Sequence, residues 1–173
     1  MPLPEGLGNL FDIVAGVVPV DLQTAQTGKR VLMKNAARCT IVLFKAAGTA
    51  GDDPTVDVQQ ANAATGGTVK DLDVVDHYYL KAEATLDGDE AWTRYTQTAA
   101  SEIADPGGLT TSAEEQQILV IEIDAADMDV ANQFNYLSLN VADVGGNAQL
   151  GGVLYILHGL RYPSASASLP ATQ

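Results

Sequence analysis

The sequence predicts an all-β protein, an antiparallel β-sandwich of jelly-roll type with at most short helices. Residues 116–124, 134–141 and 152–162 are runs of strand length, rich in apolar, β-branched and aromatic residues, and turn-forming residues separate them. In the second run Leu137 and Leu139 alternate with polar residues, which is the period of a half-buried strand. The first and third runs are apolar on both faces, as strands in the middle of a sandwich are expected to be. The whole sequence holds roughly seven to nine such short runs, a density typical of sandwiches.

The N-terminal half begins with a predicted strand at residues 17–23, where Pro19 favours an edge or a strand start because it cannot donate a ladder hydrogen bond. A second short strand is predicted at residues 30–34, and residues 38–46 form a longer apolar strand. Residues 55–59 alternate apolar and polar side chains. We expect them to pair with residues 38–46 as a hairpin, since the loop between them is too short for a parallel crossover.

A further hairpin is predicted from residues 77–84 and 91–97, which flank the Asp-Gly-Asp turn at residues 87–89. Its second strand is expected to carry Trp92 and Tyr95 on opposite faces.

Two later segments are predicted to lie outside the strands. Residues 98–115 are rich in Ser, Thr and Gly and read as a long surface loop, the kind of segment that often carries interactions. Residues 124–130 are the best helical candidate. There Asp124 is placed to act as the N-cap, and the helix dipole favours Asp127 in the first turn.

The chain is predicted to form one domain with two appendages: an N-terminal arm at residues 1–16, the β-sandwich at residues 17–163, and a flexible C-terminal tail at residues 164–173. Its length is sufficient to bury a core without disulfides. The apolar spacing from Leu7 to Val14 fits one or two helical turns. The glycines of the arm equally allow an extended segment that lies on the core or on a neighbour.

The formal net charge is -13, and it is unevenly distributed. Residues 1–50 hold five basic and three acidic side chains, whereas the rest of the chain holds four basic and nineteen acidic ones. An acidic body argues against nucleic-acid binding, which depends on clustered Lys and Arg. The basic cluster either docks on an acidic partner or consists of solvated side chains near strand ends.

Neither a secretory signal nor a membrane segment is predicted. The sequence opens without a basic region followed by an apolar one, and no apolar run approaches the roughly 20 residues of a transmembrane helix. We therefore expect a soluble protein that is made in the cytoplasm and does not enter a membrane.

No catalytic, cofactor-binding or metal-ligating residues are predicted, so the chain is expected not to be an enzyme. Neither His77 nor His158 is accompanied by a Gly-x-Ser-x-Gly nucleophile elbow. We expect His158 to be a strand residue with a hydrogen-bonded ring nitrogen. The single cysteine, Cys39, lies in an apolar run and is predicted to be buried. These three residues are too few and too scattered for a zinc site.

Acidic side chains are close in sequence at three places, and none of the three matches the twelve-residue calcium loop of an EF-hand. The groups are Asp71, Asp73 and Asp76; Asp87, Asp89 and Glu90; and Asp124, Asp127 and Asp129. Turn and helix-cap roles account for them, and a bound cation stays open as an alternative.

Residues 116–162 carry a resemblance to a known family. An apolar strand ending in Ile-Asp is followed by Ala-Ala-Asp-Met-Asp at residues 125–129 and by Phe-Asn-Tyr-Leu-Ser-Leu at residues 134–139. The sequence Leu-Gly-Gly-Val-Leu-Tyr-Ile-Leu-His-Gly-Leu-Arg-Tyr comes next, at residues 150–162. This pattern resembles the capsid decoration, or cement, proteins of tailed bacteriophages, which are small virion proteins typically encoded beside the major capsid protein. The upstream strands are compatible with the same family, so the similarity spans roughly two thirds of the sequence.

The resemblance implies a non-enzymatic jelly-roll module that binds the outside of the capsid and stabilises contacts between major capsid protein subunits. It implies a location on the capsid exterior, and as partners the major capsid protein and further copies of the chain, commonly in a homotrimer. Loop 98–115 is one candidate contact. The candidate partner-binding residues are the apolar residues of the arm and the basic cluster: Leu7, Leu10, Phe11, Lys29, Arg30, Lys34 and Arg38.

Two alternatives stay open at this point. One is another virion β-sandwich, such as a tail or head-fibre component. The other is a carbohydrate-binding module in which Tyr78, Trp92 and Tyr95 form a stacking platform for sugar rings.

Overall fold

A computed structural model describes residues 6–108 and 112–162, and these residues form two antiparallel β-sheets that enclose one core. The predicted all-β sandwich is confirmed, because the helices of the described residues are 3-10 turns of three residues each. None of those helices is long and apolar enough to cross a membrane. The strands are β1 (Phe11–Asp21), β2 (Val31–Leu32), β3 (Arg38–Lys45), β4 (Thr55–Ala61), β5 (Val69–Asp71), β6 (Val75–Glu83), β7 (Thr93–Ala100), β8 (Glu102–Ala104), β9 (Gln116–Asp124), β10 (Tyr136–Val141) and β11 (Leu150–His158).

The strand order identifies the sandwich as a jelly roll. The six-stranded sheet has the order β1-β11-β3-β9-β6-β7, and the second sheet has the order β2-β10-β4-β5, with β8 also paired to β4. The first strand pairs with the last, β2 with β10, β3 with β9, and β4 with β5. This nested pairing is that of one long hairpin rolled into two sheets, which is the jelly-roll arrangement.

Only one of the two predicted hairpins is present. Strands β6 and β7 pair as expected and extend the six-stranded sheet beyond β9. The hairpin predicted between residues 38–46 and 55–59 is wrong, because β3 lies between β11 and β9 while β4 lies in the other sheet. A connection of this length crosses the roughly 10 Å between packed sheets as readily as it closes a hairpin.

The N-terminal boundary also differs from the prediction, because β1 begins at Phe11 rather than at residue 17 and pairs with β11 from there. Of the predicted arm 1–16, only residues 6–10 precede the strand in the described part of the chain. They form a tight turn in which the Gly6 carbonyl accepts hydrogen bonds from the N–H groups of Asn9, Leu10 and Phe11. Residues 1–5 and the predicted tail 164–173 lie outside the described residues.

Among the strands of the described residues β1 lies at the edge of its sheet, as Pro19 suggested, and its pairing with β11 is interrupted twice. Register shifts occur between Ala15 and Val17 and again between Val17 and Val20, the stretch that contains Pro19. Such irregularities bend an edge strand and break its row of free backbone groups.

The predicted loop 98–115 is shorter than expected, because β7 continues to Ala100 and β8 pairs with β4. Tertiary pairing has overridden the Ser, Thr and Gly content of this stretch. The predicted N-cap is confirmed, since the Asp124 carboxylate accepts a hydrogen bond of 2.9 Å from the Ala126 N–H. The helix that follows is only the 3-10 turn Ala125–Asp127.

The core lies between the sheets and consists of the inward-facing residues of the strands. Cys39 is fully buried as predicted, and burial raises the pKa of its thiol to about 12, so it is a packed side chain rather than a reactive one. The largest fully buried apolar side chains are Leu22, Ile41, Leu43, Leu72, Leu80, Ile103, Leu119, Ile121, Ile123 and Leu137.

Tyr155 links the two sheets across this core. Its side chain is fully buried on β11, and its hydroxyl oxygen accepts a hydrogen bond of 2.9 Å from the backbone N–H of Leu139 on β10. Two glycines make room for the ring, because a Cβ at Gly16 would lie 2.6 Å from Tyr155 Cζ and one at Gly28 would lie 2.1 Å from the Leu139 carbonyl oxygen. The packing around Tyr155 therefore leaves no space for larger residues.

Replacing Tyr155 by Phe should destabilise the protein by roughly 1–3 kcal/mol, because the buried Leu139 N–H would lose its acceptor. Urea denaturation followed by fluorescence or circular dichroism measures this change. Tyr162→Phe is the matched control, since Tyr162 is 75% exposed and should tolerate the loss of its hydroxyl. Equal effects of the two substitutions would contradict the role given to Tyr155.

Candidate protein interface

The outer face of the six-stranded sheet is apolar over most of its central strands. Cys39, Ile41 and Leu43 of β3 point into the core, so the alternate residues Val42 and Phe44 point away from it. The same alternation turns apolar residues of β1, β9 and β11 outward. Together they form what we call the apolar face: Ile13, Ala15, Val18, Val42, Phe44, Ile118, Val120, Leu150, Leu154 and Ile156.

The strand register arranges this face in three rows across the strands. The middle row is Ala15, Leu154, Val42, Val120 and Tyr79.

The two flanking rows end in charged residues of opposite sign. One runs Ile13, Ile156, Thr40 and Glu122. The other runs Gly152, Phe44, Ile118 and Lys81.

The apolar face exposes several large side chains to solvent. Phe44 is 57% exposed, Leu150 62% and Leu154 47%. A strand spacing of about 4.8 Å and a rise of about 3.3 Å per residue give the face dimensions of about 20 Å by 20 Å, or about 400 Å². Apolar patches of this size on soluble proteins mark interaction sites.

A groove of about 440 Å³ lies within the apolar face, over Gly152. A Cβ at this position would stand only 3.1 Å from the Val17 carbonyl oxygen, so the close approach of β1 favours glycine. Pro19, Phe44, Leu150 and Leu154 stand around this apolar groove.

The predicted apolar contact residues lie at one end of the sandwich. Leu7 and Leu10 are exposed in the turn before β1, with Leu10 at 69%, and Phe11 is half-buried. Phe11 pairs with His158, and His158 pairs with Arg38, so these residues belong to the same sheet end.

The predicted basic cluster is not a single patch. Arg30 is occupied within the chain, because its guanidinium donates hydrogen bonds to the carbonyls of Ala63 (2.8 Å) and Gly66 (2.6 Å). Arg38 forms a 3.8 Å ion pair with Asp124. Lys29 and Lys34 are exposed. Arg38 begins β3 at the sheet end that holds Phe11, and Lys34 lies in the 3-10 turn Met33–Asn35 that precedes this strand.

Neither histidine belongs to a catalytic triad within the described residues. His158 Nε2 lies 3.0 Å from Thr40 Oγ1, which confirms the predicted hydrogen-bonded ring, and no described carboxylate bonds its Nδ1. This pair sits in an open, polar depression between Arg38 and Glu122. His77 Nδ1 lies 2.5 Å from the Asp76 carboxylate, and this hydrogen bond lowers the pKa of Asp76.

A hydrogen bond and an ion pair to distant residues engage members of two of the acidic groups. Asp73 accepts a hydrogen bond from the Ser101 N–H at 3.1 Å, and Asp129 pairs with Lys70 at 2.5 Å. In the remaining group, predicted as Asp87, Asp89 and Glu90, the structure brings Asp89 and Glu90 together with Glu83, and the three place carboxylate oxygens within 4.8 Å of one another. Glu90 also accepts a hydrogen bond from the Gly88 N–H, and Glu83 has a raised pKa, through desolvation first and then through the neighbouring acidic charges. The hydrogen bond from the Gly88 N–H lowers the pKa of Glu90, so repulsion among the three carboxylates is one influence on this group beside desolvation and hydrogen bonding.

The aromatic platform expected for a sugar-binding site does not form. Tyr78 is buried and stacks on Tyr95 with ring centroids 5.4 Å apart, and its hydroxyl accepts a hydrogen bond from the Gly107 N–H. Trp92 is half exposed, and the Lys81 ammonium lies over its ring at 5.3 Å from the centroid. Stacking of the three rings against one ligand is thus impossible.

Lys45 is a buried cation that sequence reasoning missed. It is 1% exposed at the end of β3, and its ammonium donates a hydrogen bond of 2.7 Å to the Glu115 carbonyl oxygen. Burial lowers its pKa to about 8, although the negative charges of Glu115 and Asp53 oppose this shift. Alternation along β3 was the available signal, because residues 39, 41 and 43 face inward and residue 45 shares their face.

The comparisons with known proteins add little to this geometry. No protein-family model matches the chain, and no curated protein matches its sequence at a significant level. Among solved structures, the crystal structure of the infectious bursal disease virus VP2 subviral particle aligns with 95% of this chain at 10% identity and a TM-score of 0.16. The chain spans 42% of the length of that protein. A TM-score of this size is too low to establish a shared fold.

The stability of the protein should rise between pH 8 and pH 10.5 relative to a Lys45→Met variant. The pKa of Lys45 is 10.5 in the unfolded chain and about 8 in the folded chain. Folding therefore carries a free-energy penalty at any pH at which the side chain is charged in both states. The penalty disappears as pH rises through this interval, for a gain of up to about 3 kcal/mol. Urea denaturation of both proteins from pH 7 to pH 11 measures the difference, and a difference that is constant with pH would contradict the assignment.

Replacing Glu83 by Gln should raise the melting temperature at neutral pH and low salt, because it removes one of three repelling carboxylates. Added salt should shrink the gain by screening the repulsion. Differential scanning calorimetry provides the measurement. Glu102→Gln removes the same charge from the exposed strand β8 and should give a smaller rise. An equal rise for both would mean that only the net charge matters.

Proposed function

We propose that this chain is a capsid decoration protein of a tailed bacteriophage, a non-enzymatic virion component on the outside of the capsid that stabilises contacts between major capsid protein subunits. The observation that carries the proposal is the exposed apolar surface of the sandwich, which comprises the apolar face and the exposed Leu10 at one end. A soluble chain with net charge -13 that nevertheless exposes Phe44, Leu150 and Leu154 together has a surface suited to binding other proteins.

The sandwich is consistent with this role but does not single it out, because jelly rolls occur in viral capsid domains, lectins and cupins alike. The resemblance of residues 116–162 to decoration proteins favours the virion among these settings. The sugar-binding alternative loses support from the burial of Tyr78. A hydrolytic role loses support because His158 bonds to Thr40 without a described carboxylate at its other nitrogen.

A decoration protein works by adding contacts to a shell that is already assembled. A rigid sandwich suits this task, because little conformational entropy is lost when it docks. Contacts to several subunits at once make the attachment much tighter than any single contact, since each later contact forms within one complex.

The candidate capsid-contacting surface is the end of the sandwich that holds the exposed Leu10, Lys34 and Arg38. It combines an apolar anchor with the part of this acidic chain that carries positive charge. A complementary acidic site on the capsid surface would attract it and fix its orientation.

The direct test is binding to purified, expanded capsids of the cognate phage. The full chain should co-sediment with the capsids to saturation and raise their melting temperature. Electron microscopy of the decorated particles should place it on the capsid exterior. Absence of binding, or a location on the tail or a head fibre, would reject the proposal.

A Lys34→Glu substitution should weaken capsid binding roughly three- to tenfold, in line with the loss of one exposed charge contact. Arg94→Glu is the matched control, because it makes the same charge change on the exposed strand β7. Titration of labelled protein against capsids yields both affinities. If the control weakens binding as much as Lys34→Glu does, the effect comes from net charge and not from this end of the sandwich.

A further inference from the structure

We propose that the apolar face is covered by the apolar face of a second copy of the same chain, in a two-fold symmetric dimer. The inference rests on the proposed function only in taking this face as a protein interface, and it names the partner. A protein that travels through solution before it meets a capsid is favoured by covering about 400 Å² of apolar surface, because exposed apolar patches promote association. A second copy is available wherever the chain is made.

The arrangement of the rows makes the face complementary to itself. Consider a two-fold axis that runs across the strands along the middle row, through Leu154, Val42 and Val120. Such an axis places the row of Ile156 and Glu122 of one copy opposite the row of Gly152 and Lys81 of the other. In a two-fold interface each of these contacts occurs twice.

The first consequence concerns shape. Ile156 and Gly152 both lie on β11, on opposite sides of the middle row. The axis therefore sets Ile156 of each copy over Gly152 of the other, where the groove of about 440 Å³ offers an apolar hollow. Pro19, Phe44, Leu150 and Leu154 line this groove and would surround the Ile156 side chain that the other copy supplies.

The second consequence concerns charge. Glu122 of one copy faces Ile118 of the other, and Lys81 lies one strand, or about 4.8 Å, farther along that row. A lysine side chain spans this distance and tolerates the roughly 30° by which packed sheets rotate against each other, provided that the Lys81 ammonium turns away from the Trp92 ring that it covers in the single chain. The charged ends of the two flanking rows thus meet as pairs of opposite sign, twice per dimer.

The size of the face is compatible with a specific dimer. Two faces of about 400 Å² each, increased by the relief of their side chains, approach the roughly 1,000 Å² of total buried area expected for a biological interface. The contact is apolar at its centre and charged at its rim, as protein interfaces commonly are.

Charge reversal tests the pairing on the full-length protein by sedimentation equilibrium. The wild-type chain should be a dimer. Glu122→Lys and Lys81→Glu should each weaken dimerisation by at least about tenfold, because like charges would then face each other. The double variant should restore most of the lost affinity. Glu102→Lys, the same change on the other sheet, should leave the dimer intact.

A substitution in the middle row provides an independent check. Leu154→Asp places a charge at the centre of the face, at a position that is 47% exposed in the single chain, so the fold should tolerate it while the dimer is lost. A wild-type chain that is monomeric or trimeric, or a double variant no better than the single ones, would overturn the proposal. If a charge-reversal variant fails to fold, the molar mass of the Leu154→Asp variant in solution shows whether the apolar face holds the dimer together.

Capsid binding of the same proteins separates the two proposals. A dimer that never binds capsids would refute the decoration role and leave the dimer standing. A monomer that binds capsids would refute the dimer and leave the decoration role standing.

Discussion

The hydrogen bond between the Tyr155 hydroxyl and the Leu139 N–H is the contact on which the two sheets depend for their relative position. A tyrosine is long enough to reach from one sheet to the backbone of the other only if nothing intervenes, and Gly16 and Gly28 provide that room. Tyr155 also determines which side of β11 faces the core. Because side chains alternate along a strand, burying Tyr155 turns Leu154 and Ile156 outward, and a slip of one residue would exchange the two sets. The core contact and the apolar face are therefore two results of one register.

The distribution of charge separates the apolar face from the rest of the molecule. The chain carries a formal charge of -13, yet the middle row of the face holds no charged residue, and the flanking rows end in one acid and one base. Long-range repulsion between acidic bodies is screened beyond roughly 8–10 Å at physiological salt. Electrostatic repulsion between two copies of the chain is therefore weaker when they meet through the apolar face than when they meet through their acidic surfaces. The remaining surface, with its many carboxylates, favours solubility.

Much of the fold could be predicted from the sequence, because period-two alternation and turn residues reveal strands locally. The β6–β7 hairpin and the Asp124 cap followed from such local patterns, whereas the hairpin of residues 38–46 with 55–59 did not form. Loop length cannot tell a connection within one sheet from one between sheets. The apolar face was visible as runs that are apolar on both sides, but these runs were assigned to the middle of the sandwich. The sequence shows that both faces of a strand are apolar, but it does not show whether each face packs against the other sheet or against another molecule. Lys45 was missed for a related reason, since its burial depends on carbonyl groups distant in the sequence.

The irregular edge of β1 limits how the molecule can associate. A straight outer strand invites a neighbour to extend the sheet, and repeated extension leads to fibrils of indefinite length. Two register shifts and a proline that has no N–H to donate make β1 a poor template for this growth. Contact through a face with its own two-fold axis, by contrast, is exhausted after a single pairing. The proposed dimer would thus close after one pairing, whereas sheet growth along the outer side of β1 is disfavoured by the shape of that strand.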